Sequence, residues 1–181
     1  TKQAKVVGSD SEKIKQIAYR DTLTGLNNRH SLFVLAEQVL KMAERERHKV
    51  GICFIDLNHF KKINDTLGHK AGDEVLVHVG RVLQQFKRKS DVAARHGGDE
   101  FILLFGDIKN REDIAVLLEK IEHEICQPIP FQNQQLQISA SIGISVYPDD
   151  STDIDELIEL ADSEMYRIKF ENKIQQIEAV S

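Results

Sequence analysis

Apolar positions along the chain fall into segments of two different periods. In "DSEKIKQIAYR" (10 to 20), Ile14, Ile17 and Ala18 recur at helical spacing, which predicts a short polar lead-in helix. "DTLTGLNNR" (21 to 29) is turn-rich, and Asn28 is suited to cap the next helix. There Leu32, Phe33, Leu35, Ala36, Val39, Leu40 and Ala43 form a broad stripe of period 3.6. "VGICFIDL" (50 to 57) is an unbroken apolar run, read as a buried strand ending at Asp56. A short polar helix is expected near 59 to 66, followed by "GHKAGD" as a turn with two glycines. Val75, Leu76, Val79, Val82, Leu83 and Phe86 then mark another helix.

The second half switches period. "DVAAR" and "EFILLF", separated by His96 to Asp99, read as a β-hairpin with glycine in its turn. Asn110 is placed to cap a helix running through Cys126. "LQISASIGISV" (136 to 146) alternates. Leu136, Ile138, Ala140, Ile142, Ile144 and Val146 take one face, leaving Gln137, Ser139, Ser141, Gly143 and Ser145 on the other. That pattern predicts a half-solvated antiparallel strand. A last amphipathic helix is expected from about Asp153 to Phe170, with Ile154, Leu157, Ile158, Ala161, Met165 and Ile168 on its apolar face.

From Val50 the order is strand, helices, strand, strand, helix, strand. This is the split βαβ plan of α+β, ferredoxin-like or palm-type βαββαβ sheets, with extra helices at both ends. In that topology the third strand lies between the first two, antiparallel to both. Asp56, ending the first strand, should then approach Asp99 and Glu100 at the start of the third.

Composition narrows the chemistry. A chain of 181 residues, 41% hydrophobic and 29% charged, suits one globular domain. A net charge of -5 and a pI of about 5.8 leave no basic track for nucleic acid, so phosphate partners must be met by a few placed cations. No apolar run reaches the roughly 18 residues of a membrane span, and no signal peptide opens the chain, so no membrane contact is expected. Cys53 and Cys126 sit in apolar segments, which suits a reducing, cytoplasmic setting. The first residue is Thr1 and not Met, and we expect a fragment of a longer protein, one that could itself be membrane-anchored.

Carboxylates pressed together repel, and burial makes ionising them harder, so a cation normally accompanies them. An all-oxygen set suits Mg²⁺ (or Mn²⁺) and not zinc. Such ions can clamp the attacking and leaving oxygens of a phosphoryl or nucleotidyl transfer. Gly97 and Gly98 beside Asp99 would let a large substrate approach bare backbone. An acidic Gly-Gly-Asp turn with no ligand is the competing reading. The residues alone reach as far as a metal-dependent phosphate enzyme.

"GGDEF" at 97 to 101 resembles the signature of the GGDEF diguanylate cyclases. "DTLTGLNNR", "FIDLNHFKKINDTLGHKAGDEVL" (54 to 76), "SASIGISVYP" and "ADSEMYRIK" are similar to that family's other motifs, in the same order. The resemblance covers about Asp21 to Lys173, and the expected organisation is a lead-in or signalling helix over 1–20, the GGDEF domain over 21–175 and a tail over 176–181. It implies condensation of two GTP into cyclic di-GMP and pyrophosphate by facing subunits of a homodimer. Asp56 and Asp99 would bind the metals with the carbonyl of Leu57, and Glu100 would be a further acidic candidate. Asp99 would also accept the proton of the 3′-hydroxyl, and Lys61 would stabilise transition-state charge. Asn64 and Asp73 would pair with the guanine edge, and His69 would lie near substrate. Lys169 and Lys173 would grip the triphosphate.

"RKSD" (88 to 91) stands where the family places its inhibitory product site, with Arg88 addressing guanine O6 and N7 and Asp91 taking base N–H donors. The chain departs from the pattern near its end. Asn172, Lys173 and Ile174 replace the usual Gly-Arg-Asn, and Glu164 and Ile168 replace alanines. Lysine keeps arginine's charge but not its fork. Two functions of different class follow: an active Mg²⁺-dependent cyclase under an upstream sensory domain, or a catalytically weak GTP- or cyclic di-GMP-binding module controlling an attached domain such as an EAL phosphodiesterase. A nucleic-acid polymerase palm would need the missing basic track.

Overall fold

The computed structural model describes residues 2–180, with side chains described for residues 10–15 and 17–176. In chain order the elements are α1 (Lys2–Tyr19), α2 (Arg29–Glu46), β1 (Lys49–Asn58), α3 (Phe60–Leu67), α4 (His69–Phe86), β2 (Val92–Gly97) and β3 (Glu100–Ile108). They continue with α5 (Arg111–Ile125), β4 (Ile129–Phe131), β5 (Gln134–Leu136), β6 (Ser139–Tyr147) and α6 (Ile154–Val180). The main sheet has the order β2-β3-β1-β6, and every neighbouring pair is antiparallel. This is the expected α+β sandwich with ferredoxin-like connectivity. Strand β3 separates β1 from β2, the arrangement that brings the end of β1 to the start of β3.

The apolar run of β1 has no polar face because helices cover both sides of the sheet. Cys53, Ile55 and Leu57 join one core with Val75, Val79 and Leu83 of α4 and Ile121 of α5. Val50, Ile52 and Phe54 join a second core with Leu32, Ala36 and Leu40 of α2 and Leu157 and Ala161 of α6. Asn28 and Asn110 cap α2 and α5 as expected: their Oδ1 atoms accept from Ser31 N and Asp113 N, both at 2.9 Å. Both cysteines are free thiols, and burial raises the pKa of each. Neither is poised as a nucleophile.

Four expectations are corrected. β6 is not half-solvated, because Ser141, Gly143 and Ser145 lie under α6. They are small rather than water-facing: Ser145 Oγ donates to the Leu157 carbonyl at 2.6 Å, and a Cβ on Gly143 would collide with the backbone of Ala161 and Met165. "GHKAGD" is not a turn throughout. Gly68, at φ +89°, makes the break between α3 and α4, and helix begins at His69, ahead of Asp73. α6 runs beyond Phe170 through Val180, so 176–180 continue a helix, and α1 likewise begins at Lys2 and not near residue 10. The β4–β5 hairpin was unforeseen: its strands are three residues each, one contains Pro130, and a glutamine, Gln132 at φ +52°, turns the chain.

Candidate functional site

The registers of β1 and β3 set Asp56 opposite Glu100, and Leu57 N donates to the Asp99 carbonyl at 3.3 Å. Two acidic segments separated in sequence therefore end at one place on the sheet. The electrostatics record the crowding. Burial, and after it the charge of Asp56, pushes the Asp99 carboxyl above its ordinary pKa. Glu100 is also raised, by burial first and then by Asp56, Asp162 and Asp99, against the opposing effect of Arg29. From α6, Lys169 Nζ donates to Asp56 Oδ2 at 3.0 Å. Among the described residues no three His, Cys, Asp or Glu side chains are grouped to hold a metal ion. Glu100 thus does not complete a three-carboxylate set with Asp56 and Asp99.

The hairpin carrying Asp99 is held from below and open above. Gly98 has φ +49°, and a Cβ on Gly97 or Gly98 would meet nothing within 4 Å. Arg95 Nε donates to the Gly98 carbonyl at 2.9 Å, and its Nη1 reaches Asp21 Oδ1 at 3.2 Å. Asp21 in turn accepts from Thr24 N at 2.8 Å and Thr24 Oγ1 at 2.7 Å. Burial works to raise the Asp21 pKa, but these hydrogen bonds and the Arg95 cation outweigh it and the net shift is downward. Backbone pairing finishes the clamp: Asn27 N donates to Ala93 O at 3.2 Å and Arg95 N to Asn27 O at 3.0 Å. His96, on the same strand, packs edge-on to Phe54, and its buried Nδ1 has no hydrogen-bond partner.

The remaining predicted residues sit on three helices. Asn64 on α3 packs its side-chain amide into the space that a Cβ on Gly72 would fill, one residue before Asp73 on α4. Lys61, His69 and Asp73 are exposed. On α6, Lys173 is exposed one turn beyond Lys169. The departing Glu164 has a partner: Arg111 Nη1 reaches its Oε2 at 3.3 Å while Nη2 binds Asp150 Oδ2 at 2.7 Å.

The Arg88–Asp91 pair differs from expectation. The Asp91 side chain has 0% exposure. Its Oδ2 accepts from Arg88 N at 2.8 Å and Arg88 Nε at 3.2 Å, and its Oδ1 accepts from Gly106 N at 3.0 Å and Arg88 Nη2 at 3.3 Å. Asp91 as held here orients Arg88 and does not present its oxygens to a base. Arg88 itself is exposed and lines a concavity of about 410 Å³ with Phe105, Asp107, Lys109 and Asp113.

The sequence profile described as "Diguanylate cyclase, GGDEF domain" matches residues 18–175. The chain belongs to the GGDEF domain family. The bifunctional diguanylate cyclase/cyclic di-GMP phosphodiesterase MucR of Pseudomonas aeruginosa is 39% identical over 159 residues, which are 88% of this chain and 23% of that protein. The chain thus spans about a quarter of that relative's length. A sensory box/GGDEF family protein from Caulobacter crescentus superposes with a TM-score of 0.81 at 37% identity, covering 84% of this chain and 99% of the other. The coiled coil and GGDEF domain of DgcB from the same species, solved in complex with c-di-GMP, gives a TM-score of 0.82 at 27% identity over 92% and 88% of the two chains.

Within this GGDEF domain several structural participants lacked a sequence signal of their own. Asp21 and Arg95 stand 74 residues apart and are joined only by the fold. Arg29 and Asp162 act on the charge of Glu100 and His96 from α2 and α6. Their one available cue was proximity to family motifs, since each taken alone resembles an ordinary surface charge.

Proposed function

We propose that the domain is a diguanylate cyclase that condenses two GTP into cyclic di-GMP and pyrophosphate, each nucleotide held by one subunit of a homodimer. The observation that carries this is the convergence of Asp56 and Asp99 below an open glycine turn. Their oxygens fit a hard divalent cation, Mg²⁺ or Mn²⁺, which needs few protein ligands because phosphate and water complete its shell. Asp56, Asp99 and the Leu57 carbonyl would hold it, with Glu100 outside the immediate pair. When bound, the cation offsets phosphate charge and acidifies the 3′-hydroxyl.

The chain's own groups do the rest. Asn64 and Asp73 hydrogen-bond the guanine edge, giving selection against adenine. Lys169 and Lys173 meet the triphosphate, Lys61 faces developing charge, and His69 flanks the nucleotide. The bare backbone of Gly97 and Gly98 lets the second nucleotide approach. The 3′-oxygen of one GTP bonds to the α-phosphorus of the other, its proton passes to Asp99, and pyrophosphate leaves with the broken bond's electron pair. Arg88 forms the inhibitory product site by bidentate contact with guanine, oriented by Asp91.

We place the domain in the cytoplasm under an upstream sensory domain, with an EAL phosphodiesterase domain downstream as a further arrangement; MucR, of which the chain spans 23%, is named as both cyclase and phosphodiesterase. Purified protein given GTP and Mg²⁺ is expected to form cyclic di-GMP, and Asp99→Asn to abolish this while GTP still binds. The exposed Asn172-Lys173-Ile174 segment favours a second reading, a GTP-binding regulatory module. Tight GTP binding without turnover, at concentrations that force dimers, would select it.

A further inference from the structure

The ion pair between Lys169 and Asp56 has a consequence beyond triphosphate binding. Asp56 is a strand-end carboxylate with 17% side-chain exposure, and Lys169, at 36%, reaches it across the sheet from α6. The approach is built into the packing. Gly143 lets the α6 backbone at Ala161 and Met165 rest directly on β6, and Met165 lies one turn before Lys169. The ammonium therefore arrives at Asp56 Oδ2 along a track set by the seating of α6 on β6. A Cβ on Gly143 would lift that track away.

One carboxylate oxygen cannot give full strength to an ammonium at 3.0 Å and to a divalent cation at the same time. We infer that Lys169 is an exchangeable counter-ion: it neutralises Asp56 until a divalent cation displaces it, and the displaced ammonium then turns to the nucleotide's phosphates. Cation and nucleotide binding are thereby coupled. The cation pays for entry by breaking the Lys169–Asp56 pair, and the freed lysine returns part of that cost only when a triphosphate is present. Linkage makes the effect reciprocal, so GTP raises cation affinity by the same factor that the cation raises GTP affinity.

The inference rests on the proposed metal role of Asp56, and the experiment separates the two. Mn²⁺ binding to the whole chain, free of nucleotide, is followed by electron paramagnetic resonance for wild type, Lys169→Met, Lys169→Gln and Asp56→Asn. Both lysine variants should bind Mn²⁺ roughly three- to fivefold more tightly than wild type, the scale of one partly exposed ion pair. In them GTP should also enhance Mn²⁺ affinity less than it does in wild type. If the lysine variants bind Mn²⁺ no better than wild type while Asp56→Asn abolishes binding, the counter-ion role is overturned and the metal role of Asp56 stands. If Asp56→Asn binds Mn²⁺ as wild type does, both fall. Two lysine variants guard against a packing effect peculiar to one, since a loss of folding would show as a lowered thermal midpoint.

Discussion

Asp91 and Asp99 are eight residues apart and both lie in turns, yet their surroundings set opposite tasks. Asp91 is ringed by donors, so its charge is satisfied within the fold, whereas Asp99 faces another carboxylate. Asp91→Ala should cost roughly 1–3 kcal/mol in urea unfolding, because the Arg88 and Gly106 amides lose their acceptor. Arg88→Ala should also lower stability, because the buried Asp91 carboxylate loses its cation and keeps only the two backbone donors, and it should relieve inhibition by cyclic di-GMP. Inhibition unchanged in that variant would remove the case for the site. For Asp99 the sign runs the other way. A folded-state pKa raised above the unfolded value contributes stability that is complete below the ordinary carboxylate range and is lost as pH rises through the folded value. In chelator at neutral pH, Asp99→Asn should therefore be slightly more stable than wild type, by less than about 1 kcal/mol after solvent screening. The gain should vanish in acid, and a variant less stable than wild type at neutral pH would contradict the crowding.

At the scale of elements, amphipathic helices were legible wherever the apolar stripe was long and capped. α2 and α5 begin where Asn28 and Asn110 indicated. β6 was legible as a strand but not as a doubly covered one, because serine and glycine score as polar while physically they make room. The same residues, Ser145 and Gly143, let α6 settle on the sheet. Gly143→Ala should thus destabilise the domain by roughly 1–3 kcal/mol through overpacking, read as a lowered urea midpoint. It should also weaken GTP binding by displacing Lys169, and an unaffected variant would mean that α6 does not rest on β6 as described. The break at Gly68 was anticipated, but its width was not. Gly72 looked like turn chemistry and instead gives Asn64 its berth inside a helix.

For the molecule as a whole, the decisive geometry was readable because strand order follows from element order. With β3 between β1 and β2, the end of β1 must meet the hairpin, and Asp56 with it. What the sequence could not display were the ties that need three dimensions. Arg95 fastens the hairpin to Asp21, and Lys169 sits on Asp56 from 113 residues away. These contacts leave no local period or motif of their own, so only the assembled fold brings them out. The opening motif holds the hairpin through Arg95, and the final helix reaches Asp56 through Lys169. The most direct measurement is nucleotide analysis after incubation with GTP and Mg²⁺ at protein concentrations that populate a dimer. Cyclic di-GMP should accumulate with the wild-type chain and be absent with Asp56→Asn and Asp99→Asn. Product formed at the wild-type rate by either variant, or none formed by the wild-type chain, would contradict the account.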